Sequence, residues 1–370
     1  MISKLVLLAL ATTHDPTAAL IDVAAAQRAT SAPPASAAAA RIRQHVSRGS
    51  TDAVVGELRA VLADPTFEPA AQEWLLEAGL HTLRDLPVTP GARALAEELA
   101  MRPPRLYVQV EPEHGNRAVP LYDVGAVARY ALRDWIRDEA RAATALALAL
   151  GSPAALDGWS PQDTSPQAMA TRDGILDAWR GAKIAQLAGQ RAAVVAALRT
   201  GRDADRIALE LARRLRDAEL YSLTIGYAEP AVALAAVQGA MRDLDPASAL
   251  GVLGKAADRE PIASAALLAI GRLAETDAAA RQLLFDRLSD PVSGASAAAA
   301  LAHIEDTGVA AQLATRLATA KDEPMRRRLA LALRLNGGAA ARDALRRIVT
   351  TQQGSPELRQ EVAAWLARGR

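Results

Sequence analysis

The chain has 370 residues, of which 88 are alanine and none is cysteine. The absence of cysteine excludes disulfides, thiolate metal sites and a cysteine nucleophile. The apolar fraction of 51% and the net charge of only +1 argue against disorder over most of the length. Alanine is the strongest helix former, and aromatic residues, which favour strands, make up only 3% of the chain. The composition therefore predicts an all-α protein.

The N-terminal residues 1–28 have features of a secretory signal peptide. Lys4 supplies one positive charge, residues 5–11 form an apolar run, and residues 9–11 have the small-x-small form of a cleavage site. A second such site at 24–26 follows two aspartates, which disfavours it. The apolar run is far shorter than the ~20 residues that span a bilayer. An amphipathic first helix and a disordered tail are the alternatives to a signal peptide.

Residues 29–40 are rich in alanine, serine and proline, and this composition predicts a linker. Over residues 41–228 apolar side chains recur at helical spacing, but the pattern is looser than in the rest of the chain. We therefore expect irregular helical repeats over 41–228.

Two inserted loops interrupt this region. Residues 102–125 contain Leu106, Val108 and Val110 in alternation before a turn rich in Pro, Gly and Asn, which predicts a short β-hairpin or extended excursion. Residues 151–167 are rich in turn-forming residues and predict a long loop. Long loops in compact repeat proteins are often functional.

Five similar phrases occupy residues 229–370, and in each an acidic or small polar residue precedes a proline. Asp, Glu or Ser favours a helix N-terminus, and proline fits the first turn because its missing N–H costs nothing there. The prolines recur every 30 to 33 residues, and a second helical stretch lies between successive copies. The five pairs are Glu229-Pro230, Glu260-Pro261, Asp290-Pro291, Glu323-Pro324 and Ser355-Pro356.

Apolar residues after each proline keep a strict period of 31. The columns predict one buried stripe per repeat, because a single helix pair cannot bury its apolar face and must stack on its neighbours. We expect aspartate at Leu273, Ile304 or Leu335 to unfold the stack. The three columns are Leu273, Ile304, Leu335 and Leu366; Ala269, Ala300, Leu331 and Val362; and Ile270, Leu301, Ala332 and Ala363.

The phrases "EPIASAALLAIGRL" and "DPVSGASAAAALAHI" resemble the second helix of HEAT-like repeats. The resemblance covers residues 229–370 and implies an α-solenoid of stacked antiparallel helix pairs. It implies an architecture and no particular activity. The glycine expected in the phrase is present as Gly271 and replaced by Ala302 and Leu333. Tetratricopeptide repeats fit less well, because they need a 34-residue period with aromatic anchors.

The C-terminal end is basic: residues 311–370 carry 11 Arg and 1 Lys against 5 acidic residues. Such arginines predict a strip that binds phosphate, a nucleic-acid backbone or an acidic protein surface. The alternative is a solubilising cap on a terminal repeat. The candidate binding residues are Arg326, Arg327, Arg328, Arg334, Arg346, Arg347 and Arg359.

Three residues of the inserted loops are further candidates. Glu113 and His114 lie in the turn 111–114, where a carboxylate and an imidazole can act as general acid and base or bind metal; the alternative is a solvated turn. Trp159 is a large apolar side chain in a turn-rich loop and needs a packing partner. No catalytic set, metal site or cofactor motif is predicted.

These observations predict a non-enzymatic scaffold that binds a protein partner through an extended surface. Binding of nucleic acid or another polyanion through the basic C-terminal repeats is the alternative, and a repeat-fold enzyme using the turn 111–114 is a third possibility. The N-terminus predicts export to the periplasm of a bacterium, with a cytoplasmic location as the alternative.

Overall fold

The computed structural model describes residues 19–110, 117–159, 162–201 and 204–368. Two compact units divide the chain into Met1–Ala142 with Gln162–Gly174, and Ala143–Pro161 with Ile175–Arg370. Helices make up most of the described residues, which confirms the predicted all-α class.

The first unit is built on a run of five short helices. Their bounds are α1 (Val23–Ser31), α2 (Pro33–Ser47), α3 (Thr51–Ala63), α4 (Pro69–Leu83) and α5 (Pro90–Ala100). Helices α1, α2 and α3 each pack on the next, α4 also packs against α1 and α2, and α5 packs against α3. Two longer helices, α6 (Val124–Ala149) and α7 (Pro166–Gly181), contribute residues to both units.

The segment 29–40 is helical, so the predicted linker is wrong. It contains the end of α1 and the start of α2, and Ala35 and Ala38 are buried in the core of the first unit. Pro33 lies in the first turn of α2, where a proline is tolerated. Pro34 lies in the same turn, and a composition of alanine and serine with proline only at these two positions fits a helix start as well as it fits a linker.

The excursion at 102–125 forms a small sheet, which confirms the predicted hairpin. Strand β2 (Leu106–Val110) pairs antiparallel with β3 (Arg117–Pro120), and β1 (Ala19–Leu20) pairs parallel with β2 on its other edge. The N–H of Ala19 donates to Arg105 O (2.8 Å). A two-residue strand has no alternating pattern, and β1 was therefore not predicted.

The loop 151–167 is anchored to the second unit at its described start. A 3₁₀ turn covers Pro153–Leu156, and Trp179 Nε1 donates to Ala155 O (3.2 Å). Gln190 Nε2 donates to Ser152 O (3.1 Å). These bonds supply side-chain donors to the Ser152 and Ala155 carbonyls, which lie in a turn where backbone hydrogen bonding is incomplete.

The second unit continues with twelve helices in its described part. Their bounds are α8 (Ile184–Arg199), α9 (Asp205–Leu215), α10 (Ala218–Tyr227), α11 (Pro230–Asp243), α12 (Pro246–Ala256), α13 (Glu260–Leu273), α14 (Ala278–Arg287), α15 (Gly294–Ala302), α16 (Thr307–Thr319), α17 (Glu323–Asn336), α18 (Ala339–Thr350) and α19 (Pro356–Arg368).

From α11 onward these helices stack as repeated pairs. The helices α11, α13, α15, α17 and α19 form one layer, in which each packs on the next. Each of α13, α15, α17 and α19 also packs on the helix that precedes it in the chain. The predicted stack of helix pairs is therefore present over residues 230–368.

One of the predicted caps forms as expected: Ser355 Oγ accepts the N–H of Leu358 (3.1 Å) at the start of α19. At the start of α17 the cap is Asp322 and not the predicted Glu323, and Asp322 Oδ1 accepts the N–H of Met325 (2.8 Å). Such caps satisfy N–H groups that have no partner inside the helix. Glu229 stands at the N-cap of α11, but its side chain makes no capping bond.

Close approach between the stacked helices depends on small side chains. A Cβ atom added to Gly271 on α13 would lie 3.0 Å from the Cβ atom of Ala300 on α15, the next helix of the layer. One added to Gly239 would lie 2.8 Å from the Tyr221 ring. Alanine dominates this core beside larger residues such as Leu267 and Leu284. The alanine content of the chain therefore has a packing role besides its helix propensity.

The predicted register is correct for part of each of two columns. Ile270, Leu301 and Ala332 are all fully buried, but Ala363 in the same column is exposed. In the first column Ile304 is 1% exposed, but Leu335 is 49% exposed. Ile304 follows the end of α15 and lies in a turn, whereas Leu335 is still inside α17. The strict period of 31 thus aligns a turn position with a helical one.

We expect Ile304→Asp to lower the free energy of unfolding by about 3 kcal/mol or more, because it buries an unpaired charge. Leu335→Asp is the matched control and should change it by less than about 0.5 kcal/mol, since the new side chain faces water. Urea unfolding followed by circular dichroism measures both. Equal losses in the two variants would show that Ile304 and Leu335 do not differ in burial and that this register is wrong.

Candidate anion-binding groove at the C-terminal end

Two of the seven predicted binding arginines are occupied within the fold. Arg328 Nη1 donates to Leu288 O (2.8 Å) and its Nη2 to Pro291 O (3.2 Å), after the end of α14. Arg359 Nη1 donates to Gln352 O (3.0 Å) and to Gly354 O. Both guanidinium groups satisfy backbone carbonyls, so neither belongs to a free anion-binding strip.

Arg328 is one case of a recurrent contact that we call the carbonyl clasp. In each case a side chain donates to carbonyls around the end of a helix that precedes it by about 30 to 40 residues, where carbonyls have no intrahelical partner and a positive charge is favoured. The other members are Arg129 on Ala100, Arg214 on Arg180 and Ala182, Arg259 on Ile225 and Ala228, and the uncharged Asn336 on Ala302 and Ile304.

Arg326 and Arg327 share one carboxylate. Their guanidinium nitrogens lie 3.6 Å and 3.8 Å from Glu323, within the first turn of α17. Exposed pairs of this kind stabilise a fold by only about 0–1 kcal/mol. They also reduce the positive charge that a ligand would meet at this end of the helix.

Arg334 and Arg346 instead face a common groove of about 930 Å³. Arg342 lines the same groove, and so does Arg368, which sequence reasoning did not include. The C-terminal part of α17, the N-terminal half of α18 and the last turns of α19 form its walls. The lining residues are Leu333, Arg334, Gly337, Ala339, Arg342, Asp343, Leu345, Arg346, Trp365, Leu366 and Arg368.

The four arginines of the groove differ in their surroundings. The guanidinium of Arg334 lies over the Trp365 ring, 4.6 Å from its centroid, a favourable cation–π arrangement. Arg346 pairs with Asp343 at 2.8 Å, with both side chains more than 60% exposed. Arg342 and Arg368 pair with no carboxylate of the described residues. The groove is therefore lined by more positive than negative charge.

The absence of a capping aspartate at the start of α18 leaves one negative charge fewer beside the groove. In four earlier repeats, the first helix of the pair begins at an aspartate whose side chain accepts backbone N–H bonds. Gly338 occupies that position in α18 and offers no side-chain acceptor. The "NGG" turn could have revealed this in the sequence. The capped helices are α10 with Asp217, α12 with Asp245, α14 with Asp277 and α16 with Asp306.

Arg347 lies apart from this groove. It lines a second hollow of about 660 Å³ between α16 and α18, whose walls are mainly alanine and threonine. The predicted strip is thus divided among carbonyl contacts, ion pairs and two separate hollows.

Of the three candidate residues in the inserted loops, only Trp159 lies among the described residues. Glu113 and His114 lie outside the described residues, and a role for them stays a prediction. Trp159 is half-buried and packs against the core of the second unit. Its Nε1 has no hydrogen-bond partner among the described residues. The expected packing partner is therefore the core itself.

Sequence reasoning missed a pair of carboxylates on α4 in the first unit. Glu73 is 1% exposed, and its Oε1 accepts from Arg102 Nε (3.1 Å), with Arg105 Nη1 at 3.8 Å. One turn later Glu77 Oε2 accepts the N–H of Asp123 (3.0 Å). Arg102 and Arg105 precede the hairpin and Asp123 follows it, so the two carboxylates hold both ends of the excursion.

Burial raises the pKa of the Glu77 carboxyl, and the neighbouring charges of Asp123 and Glu73 raise it further, against the Asp123 N–H bond and His81. Burial also raises the pKa of the Tyr122 hydroxyl, and the charge of Glu77 adds to this. A carboxylate with a raised pKa is often catalytic, but here the partners are the backbone and arginines of the hairpin base. We assign the pair a structural role.

In the described part of the chain, no group of three or more acidic or histidine side chains could hold a metal ion. None of the described helices combines the length and apolarity that crossing a bilayer requires. Comparison of the chain with protein-family models, with curated proteins and with solved structures found no match.

Glu77→Gln should remove a pH-dependent loss of stability. The folded pKa of Glu77 lies above its ordinary value of 4.5, so its stabilising contribution is complete below that pH and is lost as the pH rises through the folded pKa. Glutamine keeps an oxygen acceptor and stays neutral. The variant should therefore gain stability relative to the parent protein between about pH 4.5 and neutrality.

Urea unfolding at several pH values measures this difference. Glu98→Gln is the control, because Glu98 is an exposed carboxylate of the same unit, in an ion pair with Arg59 at 3.4 Å. A difference between Glu77→Gln and the parent protein that stays constant at every pH would contradict a raised pKa at Glu77.

Proposed function

We propose that this protein is a non-enzymatic interaction scaffold that binds an acidic protein partner through the groove at its C-terminal end. The observation that carries the proposal is the lining of that groove. Arginines from three different helices meet there beside Trp365 and leucines. Arginine and tryptophan are the residue types that contribute most at protein interfaces.

The architecture supports a binding role. The resemblance of residues 229–370 to HEAT-like repeats supports this proposal, because the stacked helices of such repeats present extended surfaces to partners. The groove lies where α17, α18 and α19 meet, and Trp365 and Leu366 on α19 are only half-buried there.

The alternative is a nucleic acid or another polyanion, and the contacts favour it less. Arg328 and Arg359, which would have extended the positive strip, bond to backbone carbonyls. Asp343 stands within the groove, and Asp277 and Asp306 stand at earlier repeats of the same stack. A chain with a phosphate at every step would meet these carboxylates.

Capture of binding partners tests the proposal. We expect Arg342→Glu combined with Arg346→Glu to reduce the recovered partner by about tenfold or more, since the new charges repel an acidic surface. The matched control is Arg272→Glu, an exposed arginine on α13 outside the groove. The proposal fails if the double variant and the control recover the same proteins in the same amounts.

We also propose that the protein is exported to the periplasm of a bacterium, with cleavage after Ala11. Cleavage at the second small-x-small site, after Ala26, would remove β1 and cut α1, in which Ala26 and Ala29 are buried. Cleavage after Ala11 would leave all the described residues intact. Cytoplasmic retention is the alternative.

Cell fractionation with intact-mass analysis tests the export proposal. We expect a periplasmic product whose mass corresponds to a start at Thr12. A cytosolic product that begins at Met1 would overturn export, and a product that begins at Gln27 would overturn the assigned cleavage site.

A further inference from the structure

We propose that the C-terminal groove binds a short acidic peptide segment that carries an apolar side chain between its carboxylates. This inference rests on the proposed function and makes it specific. It follows from three features of the groove: its apolar surface, the arginines around that surface, and the single carboxylate among them.

The apolar surface is only partly covered by the protein. Leu333 and Leu345 are buried at the base of the groove, whereas Trp365 and Leu366 remain half-buried. Water in contact with the half-buried pair would be displaced by an apolar side chain of a ligand, which is favourable. An inorganic anion has no group that can cover this surface.

The arginines are placed to hold carboxylates around that side chain. Arg342 and Arg346 are one turn apart on the same face of α18, and Arg368 is the last described residue of α19. A guanidinium binds a carboxylate through two parallel hydrogen bonds. Arg342 and Arg368 have no carboxylate partner among the described residues, so a ligand would not have to displace one.

Asp343 distinguishes a peptide from a polyanion. Its carboxylate accepts hydrogen bonds and repels negative charge. A peptide backbone offers N–H donors to such a group, whereas a phosphate backbone offers only acceptors. The mixture of four cations and one carboxylate is complementary to a segment that carries both acceptors and donors.

The size of the groove fits a segment of a few residues. Its volume of about 930 Å³ is at the upper end of the roughly 300–1,000 Å³ typical of ligand sites. A lone ion would fill a small part of it. Several side chains together can reach both the apolar surface and the arginines.

Fluorescence polarisation with labelled peptides tests the inference on the full chain. The probe is Ser-Asp-Glu-Phe-Glu-Asp-Ser, and its counterpart has Ser in place of Phe, with the same charge. Hexaglutamate and a short thymidine oligonucleotide are the competitors. We expect the Ser counterpart to bind about tenfold more weakly, because the ring no longer covers apolar surface.

Variants of the protein locate the binding site. Arg342→Glu with Arg346→Glu should abolish binding of the Phe peptide, and Arg272→Glu should leave it unchanged. Trp365→Ala should weaken the Phe peptide more than the Ser peptide, a coupling that a general loss of stability would not produce. Trp365→Phe keeps an aromatic ring and should restore part of the difference.

Other outcomes overturn the inference in distinguishable ways. Equal affinity for the Phe and Ser peptides would mean that the groove recognises charge alone. Tighter binding of the oligonucleotide than of the peptide would favour the polyanion alternative. If no peptide binds while the groove variants still lose the captured partner, the proposed function stands and this ligand class is wrong.

Discussion

The carbonyl clasp is the directional interaction that recurs through the stack. A stack of short helices has many helix ends, and every end leaves carbonyl groups without an intrahelical partner. Arg259 and Arg328 satisfy such carbonyls on helices that precede them in the chain, and Asn336 does so without a charge. The same bonds join one repeat to another, so they add directional contacts to an apolar core of alanine, leucine, isoleucine and valine.

This use of arginine limits what charge in the sequence can reveal about the site. The concentration of arginine near the C-terminus was evident, but its division among clasps, ion pairs and the groove was not, because that division depends on contacts across repeats. Arg328 and Arg342 look alike in the sequence, yet one bonds to backbone and the other faces the groove. The replacement of a capping aspartate by Gly338 is a local signal of the groove that can be read in the sequence.

The fold was more predictable because its main determinants are local. Helix propensity, the proline in the first turn and the repeat period predicted the class, the stack and its approximate bounds. The predicted burial was wrong at Leu335. The equivalent position in the preceding repeat, Ile304, lies after the end of α15, whereas Leu335 lies inside α17. The linker assignment failed at Ala35 and Ala38, since composition alone does not show which alanines are buried. Strand β1 depends on a partner more than eighty residues away.

The two carboxylates of α4 fasten both ends of the hairpin. Glu73 holds the chain before β2, and Glu77 holds it after β3. Because the two side chains are one turn apart on a single helix, the geometry of that helix sets the distance between the two anchored ends. One short stretch of α4 therefore determines where the inserted strands leave the helical fold and where they return to it.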